Sequence, residues 1–413
     1  MTQAKAPSPL PSTDLRAYAG VTAAYWAFTL TDGALRLLVL LHFDGLGFSP
    51  FDLAMLFVLY EIAGIVTNLF GGWLGARFGL RLTLLSGLAI QIGALLMLSA
   101  VEPDWALALS ITYVALAQAF SGVAKDLTKM SSKSAIKRVA GEGTLFKWVA
   151  LLTGSKNALK GLGFFLGGVL LEGLGFTGGL YAMAAALALV LAASLFSLKT
   201  DLGRAKSARL GKALLSKDAS INRLSLARVF LFGARDVWFV VALPLFLSGV
   251  LGWDFTATGT FMALWVIGYG FVQAGAPKML PKDPGGGVAA GAASLLGLIP
   301  VVILVLVWTG QSASVVVLGG LMVFGVLFAI NSSLHSYLIV HLADHDRVAM
   351  DVGFYYAANA VGRLLGTILS GLLYQIGGLD AALAASAAML LASAAVVSRL
   401  RASPDPCSPP QKR

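Results

Sequence analysis

The stretch "LLTGSKNALKGLGFF" (151–165) sets Lys156 and Lys160 four positions apart inside an apolar, glycine-flecked run. Four positions are about 400° of helical rotation, so both ammonium groups lie within about 40° of one face, where like charges repel. Lys160 falls about 18 Å along a helix from Trp148, deep in the run, where a long side chain snorkels least easily. A bound anion, or a carboxylate from another helix, relieves that repulsion. Arg36, Arg235 and Arg363 sit at similar depth in other apolar runs, against the acids Asp32, Glu61 and Asp236. An ionisable group at such depth costs about 2.5–3.5 kcal/mol on insertion scales, so each is a functional candidate. Cations outnumber acids, and the excess seeks negative charge from outside the chain. Arginine offers a planar fork to phosphate-like oxyanions and lysine a mobile point charge.

The acids admit more than one arrangement. Arg36 follows Asp32 by four positions, a spacing that suits an intrahelical pair, while Asp32 suits a coupling proton equally well. Glu61 has no cation within a turn, which leaves it to carry a proton or, with Asp32, to pair with the two lysines. Arg235 and Asp236 are adjacent and point about 100° apart, so they need not pair. Asn157, Asn331, His335, Tyr355 and Asn359 are the polar candidates beside the cations; Asn331 and His335 share a face, as do Asn359 and Arg363. Helix packing would account for any single asparagine as well. His42, His335, His341 and His345 lie mostly at span ends and form no metal set, and neither a metal nor a cofactor is expected.

The elements that must hold these groups are transmembrane helices. Of 413 residues, 58% are hydrophobic and 12% charged, with a mean hydropathy of +0.83, well outside the range of soluble domains. A bilayer core takes about 20 apolar residues per helix, and such runs recur at about 17–42, 53–75, 82–100, 105–124, 148–171, 179–198, 224–250, 259–276, 286–308, 315–340, 353–376 and 381–398. That makes an all-α membrane protein of twelve spans. The runs do not alternate as barrel strands do.

With Arg228, at the start of the 224–250 run, counted with the basic linker before it, all the Lys and Arg residues except the five named above fall in terminal segments or in alternate loops, and the intervening loops carry only acids. Basic residues are retained on the cytoplasmic side, so both termini are expected there, in a multi-pass protein of a bacterial inner membrane. The net charge of +10 then reads as an insertion signal, and no nucleic-acid partner is needed. The N-terminus lacks the apolar core of a cleavable signal. The single cysteine, Cys407, lies in a proline-rich tail, which excludes an internal disulfide. The expected organisation is a cytoplasmic segment 1–16, a six-helix half 17–198, a basic linker 199–223, a second six-helix half 224–398 and a cytoplasmic tail 399–413. In "AKDLTKMSSKSAIKRV" (124–139), Lys125, Lys129 and Lys133 recur every four residues. They are either retention charges or a basic mouth that draws an anion in.

The two halves are faintly related. "KGLGFFLGGVLLEGLG" (160–175) aligns with "RLLGTILSGLLYQIGG" (363–378), placing Gly163 on Gly366, Gly168 on Gly371 and Lys160 on Arg363. "LGFSPFDLAMLFVLY" (46–60) aligns with "LGWDFTATGTFMALW" (251–265) in nearly the same register. Two six-helix repeats joined by a basic loop resemble the major facilitator transporters, which bind substrate on the axis between halves. The loop "GWLGARFGLR" (72–81) resembles their gating signature at Gly72, Arg77, Gly79 and Arg81, although Ala76 stands where the signature has an acid.

"AYWAFTLTDGALRLLVLLHFDGLGFSP", "SGVAKDLTKMSSKSAIK" and "KWVALLTGSKNALKGLGFFLGG" resemble the ArsJ family, the organoarsenical efflux branch of these transporters. The resemblance implies export of 1-arseno-3-phosphoglycerate, an ester that a partner glyceraldehyde-3-phosphate dehydrogenase makes from arsenate and that breaks down outside. The residues agree on one independent point. Trivalent arsenic seeks thiols, and the spans hold no cysteine, so a cationic cavity suits a hard oxyanion ester instead. An organophosphate or sugar-phosphate exchanger of the same fold is the alternative. A membrane enzyme lacks a nucleophile beside a base, and a sensor would need a signalling domain longer than either terminal segment.

Overall fold

The computed structural model describes residues 12–139, 145–197, 218–281, 284–343 and 348–400, with side chains described except at 12–18, 71–78, 80, 133–139, 145–154, 277 and 348–350. Every regular element among the described residues is helical. The helices are α1 (Ser12–Gly45), α2 (Pro50–Phe78), α3 (Leu80–Leu98), α4 (Leu107–Val139), α5 (Leu145–Ser197), α6 (Ala219–Phe239), α7 (Ala242–Leu245), α8 (Phe255–Gly275), α9 (Gly286–Trp308), α10 (Ala313–Leu342) and α11 (Val348–Val397). In a bilayer only a helix or a closed barrel pairs all its own backbone groups.

Ten helical segments are long and apolar enough to span, and two of them, Ser155–Ser197 and Asp351–Val397, have 43 and 47 residues. Each of these crosses twice. Gly175 breaks α5 with φ 70° and ψ −178°, a conformation that strains any residue with a Cβ. Beyond it the chain doubles back, so that a Cβ built on Gly179 would lie 3.3 Å from Leu170. In α11 the break falls at Gly377 and Gly378, and residues on both arms, Gly362 and Met389, reach the same Gly233. The described residues therefore make twelve crossings.

The first crossing of each half is central. In the most apolar window of α1, 78% of residues are buried, and in that of the segment holding α6 and α7, 83%; α9 and α10 reach only 33%. The outer helices α9 and α10 turn apolar side chains outward, as at Leu295, Trp308, Val315 and Val323, the surface a bilayer would cover. Between α6 and α7 the backbone turns out of register, and Ser370 of α11 accepts hydrogen bonds from the Val241 and Ala242 amides, both 3.1 Å, which satisfies groups that lipid cannot.

The aligned glycines occupy equivalent places. Gly163 lies against Leu30 and Gly33 of α1, and Gly366 against Gly233 and Asp236 of α6, in each case the first helix of its own half. Gly168 lies against Phe255 and Thr256 at the start of α8, and Gly371 against Pro50 and Phe51 at the start of α2, each the second helix of the opposite half. The halves thus meet along α5–α8 and α2–α11. At this end they are also pinned by the Thr256 amide on Glu172 (3.1 Å) and the Phe51 amide on Gln375 (3.2 Å).

A Cβ at Gly168 would meet the Phe255 carbonyl oxygen at 2.2 Å, and one at Gly371 the Pro50 oxygen at 2.3 Å. Backbone cannot yield as a flexible side chain does. Gly168→Leu and Gly371→Leu are therefore expected to hold this end open. With Cys407 removed and Thr256→Cys introduced, labelling by an impermeant maleimide should rise severalfold in either variant. Unchanged labelling would show that these contacts do not close the end.

Candidate functional site

Midway along the bundle the two halves meet in a chain of alternating charges. Glu61 of α2 is 1% exposed. Its Oε1 accepts from Nη1 and Nη2 of Arg36 of α1, both 3.1 Å, and from Nη2 of Arg363 of α11 at 2.6 Å. The Arg363 Nε lies 3.5 Å from Asp236 Oδ2 of α6, and Asp236 Oδ1 accepts from the Arg235 Nε at 2.6 Å. Arg36, Glu61, Arg363, Asp236 and Arg235 thus form one network, in which the Glu61–Arg363 bond joins the halves. Charge-assisted bonds of this kind are short and directional, and burial makes each partner costly to remove.

Asp32 stands beside the network and accepts the Tyr60 hydroxyl at 2.7 Å. The ring of Tyr60 carries the Lys125 ammonium 3.9 Å from its centroid, with the Arg36 guanidinium 5.4 Å away. Lys160 is half-buried, within electrostatic range of Arg363, Arg36, Asp32 and Arg235. Its ammonium lies 5.9 Å from the Phe164 centroid and pairs with no carboxylate among the described residues. Lys156, one turn earlier, is half-buried as well.

Several expectations are corrected by this geometry. Arg36 does not turn back on Asp32; its fork goes to Glu61, and Asp32 takes Tyr60 instead. Glu61, which lacks a cation on its own helix, gains two from other helices. Arg235 and Asp236 do pair, because an arginine side chain is long enough to curl round the helix. Asn359 shares a face with Arg363 but holds Arg228 through its Oδ1 at 2.9 Å. Asn331 serves packing, donating to the carbonyls of Ala292 and Leu327, both 3.0 Å. His335 is buried with neither ring nitrogen hydrogen-bonded, and Tyr355 is wholly buried beneath Arg228. Asn157 joins the halves by donating to Gln273 of α8 at 2.9 Å.

The basic stretch after residue 124 is not a loop, because α4 continues through it to Val139. Lys125 reaches Tyr60, and Lys129 bonds to Asp126 (3.2 Å) and Asn68 (3.1 Å). Asp126, fully buried, also accepts the Thr67 hydroxyl. Lys125 and Lys129 thus belong to the interior of the first half; the Lys133 side chain lies outside the described residues. In the segment 72–81, α2 persists to Phe78 and the turn is Gly79 alone, with φ 80°. Arg81 Nη2 lies 3.5 Å from the Leu195 carbonyl, and the surroundings of Gly72 and Arg77 are not among those described.

Arg228 was hidden by counting it with the basic linker. It lies on α6 at 4% exposure, bonded to Asn359 and to the Ser332 carbonyl (3.2 Å), with its guanidinium 3.9 Å from the Phe232 centroid. A signal was present: Arg228 and Arg235 are seven residues apart, two helical turns, and so share one face.

Twelve crossings in two equivalent halves, with charged side chains meeting between them, are matched at the level of sequence. The family model described as "Major Facilitator Superfamily" matches residues 18–350. The chain belongs to the major facilitator superfamily. Solved structures of similar fold include a POT family transporter in complex with a thioalcohol conjugated peptide, at TM-score 0.72 and 15% identity over 92% of this chain and 95% of that one. A bacterial homologue of the iron transporter ferroportin in an inward-facing state gives 0.72 and 16% over 94% and 98%. A D-xylose-proton symporter gives 0.71 and 13% over 94% and 97%. At such identities the likeness is one of fold. No curated protein matches the sequence at a significant level. The charged network of this facilitator must therefore be interpreted from its own residues.

Proposed function

We propose that this facilitator exports an anionic organoarsenical, 1-arseno-3-phosphoglycerate, across a bacterial inner membrane and so confers resistance to arsenate. One observation carries the reading. Arg36, Arg235 and Arg363 are each paired with Glu61 or Asp236, three cations on two carboxylates, whereas Lys160 stands among them with no carboxylate within ion-pair distance among the described residues. An ionisable group at such depth costs about 2.5–3.5 kcal/mol on insertion scales, and an oxyanion cargo supplies the missing partner.

The ester fits this chemistry at both ends, since its phosphate and arsenate groups are hard oxyanions. Cys407 is the one thiol in the chain and lies outside the membrane spans in sequence, so the spans supply no thiol ligand for trivalent arsenic. The resemblance of the stretches around Lys125 and Lys160 to the ArsJ family points to the same cargo, with glyceraldehyde-3-phosphate dehydrogenase as its source. The distribution of basic residues supports cytoplasmic termini, and the cations converge where facilitators bind substrate. Asp32 and Glu61 are the carboxylates available for charge pairing or coupling.

The test is arsenic accumulation in arsenate-exposed cells expressing the transporter, with and without a phosphorylating glyceraldehyde-3-phosphate dehydrogenase. Accumulation should fall only when both proteins are present. If it is unchanged with the protein in the membrane and ester formation verified, the cargo is not the ester. Exchange of organophosphates then becomes the reading that the same cations support.

A further inference from the structure

Arg228, like Lys160 and Lys125, has no carboxylate within ion-pair distance among the described residues. Its bonds go to neutral acceptors, the Asn359 amide oxygen and the Ser332 carbonyl, and its faces are covered by Phe232 and by Tyr355, the latter 5.0 Å away. Such bonds orient a guanidinium without discharging it. His335, one turn beyond Ser332 on α10, is fully buried with both ring nitrogens unbonded, and the Ser225 hydroxyl, one turn before Arg228, is also buried and unbonded. Unmet polar groups beside an unneutralised buried charge point to a missing ligand.

The surroundings reach the interface between the halves. The Ser332 hydroxyl lies 3.3 Å from the Tyr269 hydroxyl and 3.5 Å from the Gln273 amide, and Gln273 accepts from Asn157 of the first half. Asn157 is three residues from Lys160. On α6, Arg228 stands two turns, about 10 Å, from Arg235, which is within electrostatic range of Lys160. The Phe232 ring separates the two arginines, with the Arg235 guanidinium 4.9 Å from its centroid.

We propose that Arg228 forms a second anion subsite: the transporter takes a small molecule with two oxyanion groups, one held at Lys160 and the other at Arg228. This rests on the reading of a cargo with two oxyanion ends and adds that Arg228 is the group that holds the second.

The test uses stable probes rather than the cargo. Propane-1,3-diyl bisphosphate and propyl phosphate are titrated into the purified full-length transporter, and affinities are measured by calorimetry. The wild type should prefer the bisphosphate by at least tenfold. Arg228→Gln should reduce the preference to less than twofold. Asn359→Asp should do the same without removing the arginine, because it places a carboxylate where Arg228 now meets an amide oxygen; this variant decides the matter if Arg228→Gln does not fold. Equal affinities in the wild type, failure of the wild type to bind either probe, or a preference that survives Asn359→Asp would overturn the proposal. Arsenic export is measured separately. A bisphosphate preference without arsenic export would reject the arsenical cargo and keep the subsite; export without the preference would do the reverse.

Discussion

Replacing Lys160 by Gln is expected to reduce export at least tenfold while the protein still inserts. A charge-assisted hydrogen bond contributes about 1.5–3 kcal/mol, which corresponds to about ten- to a hundredfold in affinity. Insertion should not suffer, since removing a cation from a helix centre lowers the insertion cost by about 2.5–3.5 kcal/mol. Lys160 is a sharper probe than Arg363 because it holds no carboxylate, whereas Arg363 bridges Glu61 and Asp236, so its loss also loosens the junction of the halves. Initial rates in cells with matched membrane levels check the prediction. A rate within twofold of wild type would remove Lys160 from the site.

Glu61→Gln should have the largest effect on stability, and its sign under added anion is informative. The substitution takes away the carboxylate shared by Arg36 and Arg363, and breaking a buried pair from one side costs about 3–5 kcal/mol. Part of that loss is softened because Arg363 keeps Asp236. Inorganic phosphate, seated where the carboxylate was, should restore stability to the variant more than it adds to the wild type, through preferential binding to the folded state. Thermal unfolding of purified protein across a phosphate series reads both effects. An unchanged melting temperature, or equal phosphate effects in the two proteins, would mean that Glu61 does not occupy an anion position between the arginines.

Much of the architecture was legible because lipid imposes it. Apolar runs of bilayer length marked the spans, and the pairing of Gly163 with Gly366 and Gly168 with Gly371 foretold helix contacts that recur in both halves. Arg36, Glu61, Arg235, Asp236 and Arg363 stood out by depth alone, and they do meet. Their partners did not stand out, because the rules available to a sequence concern neighbours along one helix. Glu61 and Arg363 are 302 residues apart. The spacing of Asp32 and Arg36 suggested a pair, but Tyr60 and Glu61 from another helix compete better for the same groups.

Lys125 and Lys129 were obscured for a different reason. A run of lysines resembles a cytoplasmic loop, and only the burial of Asp126, with Thr67 and Lys129 around it, shows the helix continuing with its charges inside. Arg228 lay at the edge of a basic segment, where counting charges for orientation assigns every cation to the loop. Its helical phase with Arg235 was the one cue that separated it from the linker.

The central claim is tested most directly in everted membrane vesicles from cells expressing the transporter. The vesicles are supplied outside with glyceraldehyde 3-phosphate, NAD, labelled arsenate and glyceraldehyde-3-phosphate dehydrogenase. Arsenic and 3-phosphoglycerate should accumulate inside in equal amounts, because the ester enters whole and breaks down there. Neither should accumulate when the dehydrogenase is omitted or when Lys160→Gln replaces the wild type. Arsenic uptake without the enzyme, or uptake of 3-phosphoglycerate without arsenic, would contradict export of the arsenical ester.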